Sequence, residues 1–365
     1  MAWNILITGA AGYIGGSHVI GLLGSETVKF EPENINVLVR SGGQVGHFSK
    51  LGINAIQCSL LDEKKLADIV LERKVDIIVH CASSLDPNLA YPLILALQKS
   101  AKPPARRYIL FTSDPTQTAE MGAFSKETGW PHGSVEDTDP VFELEKQMPE
   151  QDVFPVQRYS KPINSEGTNL INNPFCGLVD GRGTGPYKKL SVQVPSLIRA
   201  FIVLKMVYKF DYEGRWPAAH VSDVVNYYIL LIGLIIEGKT PPSGENGYYF
   251  AATHYLSWWK MLEGLAISLH GRGLVKEPIP VIWPSVELAE KALGFPSPYV
   301  QVAFSSRSPQ GIADKRYSIG WEPKWNAPDF FNIIDDEVQS VLDLDIARAC
   351  IADYFANEKL EGSKE

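Results

Sequence analysis

The sequence of 365 residues carries 34 lysines and arginines against 42 aspartates and glutamates, which gives a formal net charge of −8. This acidic balance argues against binding to the phosphate backbone of nucleic acids, because such binding needs a basic face. The hydrophobic share of 45% is that of an ordinary globular protein and excludes an intrinsically disordered or collagen-like chain. The 4 cysteines lack a Cys-x-x-Cys spacing and the 7 histidines are scattered, so we predict reduced thiols and no metal site.

The chain contains no pattern that predicts export or membrane insertion. Its N-terminus leads directly into an apolar strand and a glycine-rich turn, so no signal peptide is expected. The longest apolar stretch, residues 224–236, is shorter than the roughly 20 residues that cross a bilayer. We therefore predict a cytoplasmic protein without a membrane partner.

Short apolar segments alternate with helical segments in the first third of the chain. Strands are predicted over residues 3–7, 36–40, 55–60, 75–82 and 107–112, and helices over residues 13–24 and 62–73. Apolar strands that alternate with helices are typical of a parallel sheet with helices on both faces. The sequence therefore predicts an α/β fold, a Rossmann-type doubly wound parallel sheet with a smaller C-terminal substrate lobe.

The alternating pattern weakens after Ser113. Residues 114–156 are rich in proline and acidic residues and are predicted to form loops across the active-site edge of the sheet. A helix is predicted to begin near Ser160, and further elements are a strand over 175–179, helices over 192–208 and 221–237, and a strand over 248–250. We expect a dinucleotide-binding domain over 1–180 with 217–250 returning to it, and a substrate lobe over 181–216 and 251–365.

A glycine-rich turn joins the first predicted strand to the first predicted helix. Its sequence is Thr-Gly-Ala-Ala-Gly-Tyr-Ile-Gly over residues 8–15. Gly9 permits a tight turn, Gly12 lets the backbone approach a pyrophosphate, and Gly15 lets helix and strand pack closely. The helix N-terminus offers N–H groups and partial positive charge to the phosphates. Because a strand precedes and a helix follows, the context predicts dinucleotide binding.

The Thr-Gly-x-x-Gly-x-x-Gly spacing resembles that of the short-chain dehydrogenase/reductase superfamily. Its extended and atypical branches include sugar-nucleotide epimerases and dehydratases and the fungal NmrA-like proteins. Further segments that match along the chain are residues 76–82 (DIIVHCA), 58–62 (CSLLD), 181–186 (GRGTGP), 191–195 (SVQVP), 220–223 (HVSD), 293–294 (LG) and 319–323 (IGWEP). The resemblance implies cofactor contacts from Thr8, Gly9, Gly12, Tyr13, Ile14, Gly15, Arg40, Leu60, Cys81, Ala82 and Ser83.

The residue that ends the second predicted strand bears on the choice of cofactor. An acidic residue there accepts hydrogen bonds from the ribose 2′-OH of NAD, whereas an arginine favours the 2′-phosphate of NADP. This chain has Arg40 at that position and no adjacent acid. A guanidinium can bind the phosphate bidentately. The sequence therefore predicts NADP, although a plain surface arginine is the other interpretation.

The superfamily's catalytic pattern is incomplete in this chain. Its reductases use a Ser or Thr, a Tyr and a Lys, and Ser113 with Asp114 follows the fifth predicted strand where the hydroxyl is expected. Lys161 stands where the lysine is expected, but the residue four positions earlier is Gln157 instead of tyrosine. Tyr159 is only two positions from Lys161, so on a helix the two side chains would point about 200° apart. The catalytic candidates are therefore Ser113, Asp114 and Lys161.

Three functions fit these observations. The first is an NADP-dependent oxidoreductase that acts on a small carbonyl, imine or enone, in specialised metabolism. The second is an NADP-bound enzyme of natural-product biosynthesis that does non-redox acid–base chemistry, as a cyclase, isomerase or dehydratase. The third is an NmrA-like regulatory protein that senses NADP. The expected partner is a small-molecule substrate, and the sequence leaves a homodimer open.

Overall fold

The protein is described from a computed structural model over residues 2–83, 86–100, 107–112, 134–143, 169–173, 177–295, 297–305 and 310–344. The strands are β1 (Ile5–Thr8), β2 (Ile35–Val39), β3 (Asn54–Gln57), β4 (Ile77–His80), β5 (Tyr108–Thr112), β6 (Ser134–Glu136), β7 (Asn169–Asn173), β8 (Leu178–Asp180), β9 (Tyr208–Lys209), β10 (Arg215–His220), β11 (His254–Ser257), β12 (Val281–Ile282) and β13 (Gln310–Ile312).

The helices of the described residues are numbered in chain order. They are α1 (Tyr13–Leu23), α2 (Gly42–Ser49), α3 (Glu63–Glu72), α4 (Tyr91–Ser100), α5 (Gln193–Leu204), α6 (Val221–Ile236), α7 (Trp258–Gly271), α8 (Val286–Leu293), α9 (Ser297–Ser305), α10 (Lys315–Ile319), α11 (Ala327–Asn332) and α12 (Ile334–Asp343). In the part of the chain that the structure describes, no helix has the length and apolar character that a bilayer crossing requires.

A six-stranded sheet forms the centre of the fold, in the order β3-β2-β1-β4-β5-β7. Every neighbouring pair is parallel. Strands β1, β2, β4 and β5 are buried along their whole length, as expected for a parallel sheet covered on both faces. The predicted Rossmann-type α/β fold is confirmed. The strand order reverses between β1 and β4, and this switch point is where such sheets bind ligands.

Helix α2 was not predicted, because its sequence holds three glycines. Two local features support it. Ser41 and Gln44 form a capping box at its N-terminus, and Phe48 is buried on the inner side. The predicted helix over residues 62–73 is α3, where Asp62 accepts a hydrogen bond from the Lys65 amide as N-cap.

The second half of the chain builds a smaller sheet, in the order β11-β10-β8. Strand β10 runs parallel to β8 and antiparallel to β11. Helix α6 then returns to the large sheet and packs on α1, where Val225 and Ile229 lie against Gly21.

Four predictions about the second half need correction. The sixth strand of the central sheet is β7, whereas the predicted strand over 175–179 corresponds to β8 of the smaller sheet. Residues 248–250 form only a single-residue bridge. The helix over 192–208 ends early, because Lys205 adopts φ 59° as its C-cap. Within the predicted loops over 114–156, residues 134–136 form a strand that pairs with β13.

Candidate dinucleotide site

The turn between β1 and α1 is tight enough to require its three glycines. Gly9 adopts φ 68°, and a side chain there would collide with the carbonyl of Cys81, the residue that follows β4. The Gly12 amide donates a 2.7 Å hydrogen bond to the Gly9 carbonyl. A Cβ at Gly15 would collide with that same carbonyl. The roles predicted for Gly9 and Gly15 therefore match the geometry of the turn.

Gly12 has a second role that the sequence did not reveal. A Cβ on this residue would lie 2.9 Å from the Gly9 oxygen, so a larger residue must shift the turn itself. Gly12 is also the N-cap of α1 and supplies no side chain to the helix's first N–H groups. This bare helix N-terminus at the switch point fits the pyrophosphate of a dinucleotide. Ile14 is half-buried and its side chain packs against the core. A contact from Ile14 to a cofactor would therefore come from its backbone N–H.

The two strands at the switch point are tied by a buried polar pair. Thr8 Oγ1 lies 2.9 Å from His80 Nδ1, and both residues are fully buried. The His80 ring stacks on Phe111, with centroids 5.4 Å apart. Burial lowers the pKa of His80 to about 4, so the ring is neutral at physiological pH. Thr8, predicted as a cofactor contact, therefore directs its hydroxyl to β4.

The residues that follow β3 and β4 line the same edge of the sheet. Leu60, Cys81, Ala82 and Ser83 are each half-buried. Leu60 packs against the hydrophobic core, and the Ser83 hydroxyl accepts a 3.1 Å hydrogen bond from the Asp86 amide. Burial raises the pKa of the Cys81 thiol to about 12, so it stays protonated.

Arg40 lies directly after β2 with its side chain exposed. Its backbone is fixed: the amide donates a 2.9 Å hydrogen bond to the Gln44 side chain, and the carbonyl accepts one from Gln57. Among the described residues, none pairs with the guanidinium. The guanidinium at this strand end is therefore available to bind an anion.

The side chain of Tyr13, a predicted cofactor contact, is bound to the protein itself. Its single hydroxyl hydrogen is shared between the carbonyls of Asp180 and Gly181, whose oxygens lie 2.8 Å and 2.6 Å from the hydroxyl oxygen. The ring packs on Gly183, where an added Cβ would lie 2.8 Å from the ring. The side chain is thus engaged with the segment after β8, and a cofactor contact from Tyr13 would come from its backbone N–H.

A hydroxyl pair at the end of β5 was missed by the sequence reasoning. Thr112 Oγ1 lies 2.8 Å from the hydroxyl of Tyr228, which α6 carries across from the second half of the chain. The Cys81 thiol lies 3.3 Å from the same Thr112 oxygen. Tyr228 sits in a continuous apolar run, so nothing in the sequence distinguished it from a core residue.

The predicted catalytic residues Ser113, Asp114 and Lys161 lie outside the described residues, as do Gln157 and Tyr159. The described residues contain no group of three or more His, Cys, Asp or Glu side chains arranged to hold a metal ion.

In the comparison with protein families, residues 5–95 match the model of the NAD dependent epimerase/dehydratase family. This segment runs from β1 into α4 and includes the phosphate turn, Arg40 and the switch point. No curated protein sequence matches the chain.

Solved structures resemble the chain over nearly its whole length. UDP-glucose 4-epimerase from Thermotoga maritima, solved with UDP-glucose, has 17% identity and a TM-score of 0.62, over 93% of this chain and 99% of that one. dTDP-glucose 4,6-dehydratase from Streptomyces venezuelae, solved with NAD, has 14% identity and a TM-score of 0.61, over 93% and 97%. L-threonine dehydrogenase from Phytophthora infestans has 16% identity and a TM-score of 0.59, over 94% and 100%.

At these identities the structural likeness establishes the fold. Together with the family match over residues 5–95, it confirms the predicted resemblance to the epimerase/dehydratase branch of the short-chain dehydrogenase/reductase superfamily. The resemblance to fungal NmrA-like proteins stays a prediction.

Proposed function

We propose that this chain, whose residues 5–95 carry the epimerase/dehydratase family pattern, is an enzyme that binds NADP at the β1–β4 switch point and exchanges a hydride with a small carbonyl, imine or enone. The observation that carries the proposal is the combination of a bare α1 N-terminus with an exposed, unpaired Arg40 guanidinium at the end of β2. The first feature suits a pyrophosphate and the second suits a 2′-phosphate.

The NADP assignment departs from the cofactor of the comparison proteins. The matching family is described as NAD dependent, and the Streptomyces venezuelae dehydratase was solved with NAD. Selectivity between the two cofactors depends on the residues that meet the adenosine ribose. Here the strand end offers a cation and no carboxylate, which supports NADP.

In this proposal the acid–base work belongs to Ser113, Asp114 and Lys161. Ser113 would position the substrate oxygen, Asp114 would donate or accept the proton, and Lys161 would contact the nicotinamide ribose. When bound, NADPH would supply the hydride that reduces the substrate and would leave as NADP+. Five large aromatic side chains of the second half pack in the core and are at most 1% exposed: Trp216, Tyr227, Tyr249, Phe250 and Trp258.

Two measurements test this function. Calorimetric titration with NADP and with NAD should give tighter binding of NADP. NADPH absorbance should then fall when a panel of carbonyl, imine and enone compounds is added, and should fall about tenfold more slowly with an Arg40→Ala variant at limiting cofactor. A protein that binds neither nucleotide would refute the proposal.

The missing Tyr-x-x-x-Lys spacing favours a second candidate, a non-redox acid–base enzyme that keeps NADP bound. Product formed with the oxidised cofactor, without a change in NADPH absorbance, would select it. Binding of both redox forms without any turnover would favour the NADP sensor instead.

The remaining parts of the proposal concern organisation. We propose a dinucleotide-binding unit over 1–180 and 217–250 and a substrate lobe over 181–216 and 251–365. We also propose that the protein is cytoplasmic, forms a homodimer and acts in specialised metabolism. The packing of α6 on α1 supports the return of 217–250 to the first unit. Size-exclusion chromatography with light scattering tests the dimer, and a single monomeric mass would refute it.

A further inference from the structure

One residue, Gly181, connects the first residue of α1 to the C-terminal helix α12. The Gly181 amide donates a 2.6 Å hydrogen bond to Glu337 Oε1, and the Gly181 carbonyl accepts a 2.6 Å hydrogen bond from the Tyr13 hydroxyl. Tyr13 opens the helix whose N-terminus faces the proposed pyrophosphate site. We call the three residues Tyr13, Gly181 and Glu337 the clasp.

The segment that follows Gly181 lies directly on the first two turns of α1. The Thr184 amide donates a 3.2 Å hydrogen bond to Ser17 Oγ. Gly185 packs on Gly16 so closely that an added Cβ would lie 2.8 Å from the Gly16 Cα. Residues 181–186 therefore pack directly on α1, so we expect a displacement of Gly181 to disturb this helix.

Glu337 is an unusual residue to hold that position, because its buried carboxylate accepts from the amide that directly follows a second buried acid, Asp180. Glu337 is 4% exposed and Asp180 is 1% exposed, and Asp180 Oδ2 has no hydrogen-bond partner among the described residues. Burial and the proximity of Glu337 raise the pKa of Asp180 well above its usual range. Burial likewise raises the pKa of Glu337 to about 7.

The acidic neighbours Asp223 and Asp336 increase this effect. The groups that face the pair from the neighbouring elements are Tyr13 of α1, Arg182 after β8, His220 and Asp223 at the start of α6, and Asp336 of α12. Arg182 is half-exposed and lies 3.9 Å from Asp343, so it does not neutralise the pair. Burial lowers the pKa of His220 to about 4, so its ring, stacked on Trp325, carries no charge near neutral pH.

We propose that Glu337 is a positioning residue for the dinucleotide site, and that the clasp holds α1 only while the Asp180–Glu337 pair retains a proton. Full ionisation would place two carboxylates together in a buried site, where their repulsion outweighs the one hydrogen bond that Glu337 accepts. The inference rests on the proposed function for its binding readout. Its stability readout is independent of that function.

The binding experiment compares dinucleotide affinity of the full chain at about pH 6 and about pH 8.5, on either side of the titration. We expect the wild type to bind about 5- to 10-fold more weakly at the higher pH, the range of ordinary coupling between sites. Glu337→Gln keeps a neutral acceptor for the Gly181 amide and should retain its affinity at both pH values. Glu337→Ala should bind weakly at both. Ratios between variants at one pH cancel the ionisation of the nucleotide itself.

Two further variants test the specificity of the effect. Tyr13→Phe opens the clasp from the other side and should bind weakly at both pH values. Glu263→Gln makes the same chemical change on the exposed face of α7 and should follow the wild type. The proposal is overturned if Glu337→Gln keeps the wild-type pH dependence, or if it binds as weakly as Glu337→Ala.

Thermal unfolding tests the clasp without any nucleotide. Because the folded protein holds the extra proton, raising the pH from about 5 to about 8 should destabilise the wild type more than Glu337→Gln. If no variant binds a dinucleotide at any pH while this difference in Tm appears, the proposed function fails and the clasp stands. Equal pH dependence of Tm in the two proteins would overturn the clasp, whatever the binding results.

Discussion

The hydroxyl of Tyr228 lies 2.8 Å from Thr112 Oγ1, although the two residues are 116 positions apart in the sequence. The contact joins α6 to the end of β5, the strand that precedes Ser113 and Asp114. Both partners are buried, so the hydrogen bond has no water to compete with it. It fixes the strand end from which the proposed catalytic residues extend.

This pair should show an energetic coupling. Tyr228→Phe and Thr112→Val each remove one partner, and each should lower the free energy of unfolding by about 1–3 kcal/mol, the cost of an unsatisfied buried group. The double variant should lose less than the sum, with a coupling of about 1 kcal/mol. Denaturant unfolding measures all three. Tyr249→Phe is the matched control, because Tyr249 donates to the Pro242 carbonyl and should be additive with Thr112→Val.

Arg40 should determine the choice of cofactor. We expect NADP to bind at least about tenfold more tightly than NAD, about 1.4 kcal/mol, and Arg40→Ala to remove most of that preference without weakening NAD. Calorimetry measures both affinities. Arg73→Ala, an exposed arginine at the C-cap of α3, should leave the preference intact. Equal affinities in the wild type would show that the guanidinium does not meet the 2′-phosphate.

The phosphate turn should not tolerate a side chain at Gly12. Gly12→Val should abolish nucleotide binding and also lower Tm, because its Cβ would lie 2.9 Å from the Gly9 carbonyl oxygen. Gly46→Ala is the control: nothing lies within 4 Å of its Cβ position on α2. That change should raise stability by about 0.4–1 kcal/mol by restricting the unfolded chain, and should leave binding unchanged. Normal binding by a folded Gly12→Val variant would contradict the assignment of the turn.

His18 should make the fold sensitive to acid. Burial lowers its pKa to about 3, and Nε2 has no hydrogen-bond partner among the described residues. At a pH between these two pKa values, His18 is protonated in the unfolded chain and neutral in the folded chain. The free energy of unfolding therefore decreases as the pH falls below the ordinary pKa of histidine. The loss should reach about 2 kcal/mol at about pH 5.

The measurement is thermal or denaturant unfolding across that pH range. His18→Phe keeps an aromatic ring against Tyr228, whose centroid lies 4.4 Å from that of His18, and should lose less stability on acidification than the wild type. His270→Gln changes an exposed histidine of α7 and should lose as much stability on acidification as the wild type. Parallel pH profiles for wild type and His18→Phe would show that the ring is not protonated on unfolding.

The proposed acid–base role predicts which of two further variants loses more turnover. Asp114→Asn should reduce turnover by about 10²-fold or more, the scale of a lost general acid. Tyr159→Phe should have little effect, since its position two residues from Lys161 does not reproduce the usual spacing. Steady-state kinetics on the first active substrate decides between them. The reverse order would mean that Tyr159 acts as the superfamily's tyrosine after all.

The elements that could be predicted from the sequence are those that a local pattern of apolar residues or glycines specifies. Strands β1 and β4 are continuous apolar runs, and the Gly9 turn needs no distant partner to be recognised. Helix α2 escaped prediction because capping by Ser41 and burial of Phe48 outweigh its three glycines. Strand β6 escaped because it pairs only with β13, far along the chain.

The same distinction separates the site residues. The glycines and Arg40 are defined by their place after a strand, which periodicity reveals. The resemblance implied a cofactor contact from Tyr13, but the acceptors of its hydroxyl, the carbonyls of Asp180 and Gly181, belong to a segment that no local pattern connects to α1. Tyr228 looked like any apolar-helix residue until the fold placed it beside Thr112.

The contacts from Tyr13 through Gly181 to Glu337 have a consequence for synthesis of the protein. Glu337 is synthesised 324 residues after Tyr13, so at roughly 5–20 residues per second the two leave the ribosome tens of seconds apart. During that interval the phosphate-binding helix lacks the partners that hold its first residue. The nascent N-terminal half is therefore an immature nucleotide site, and a truncation that removes α12 should act on cofactor affinity from the opposite end of the chain.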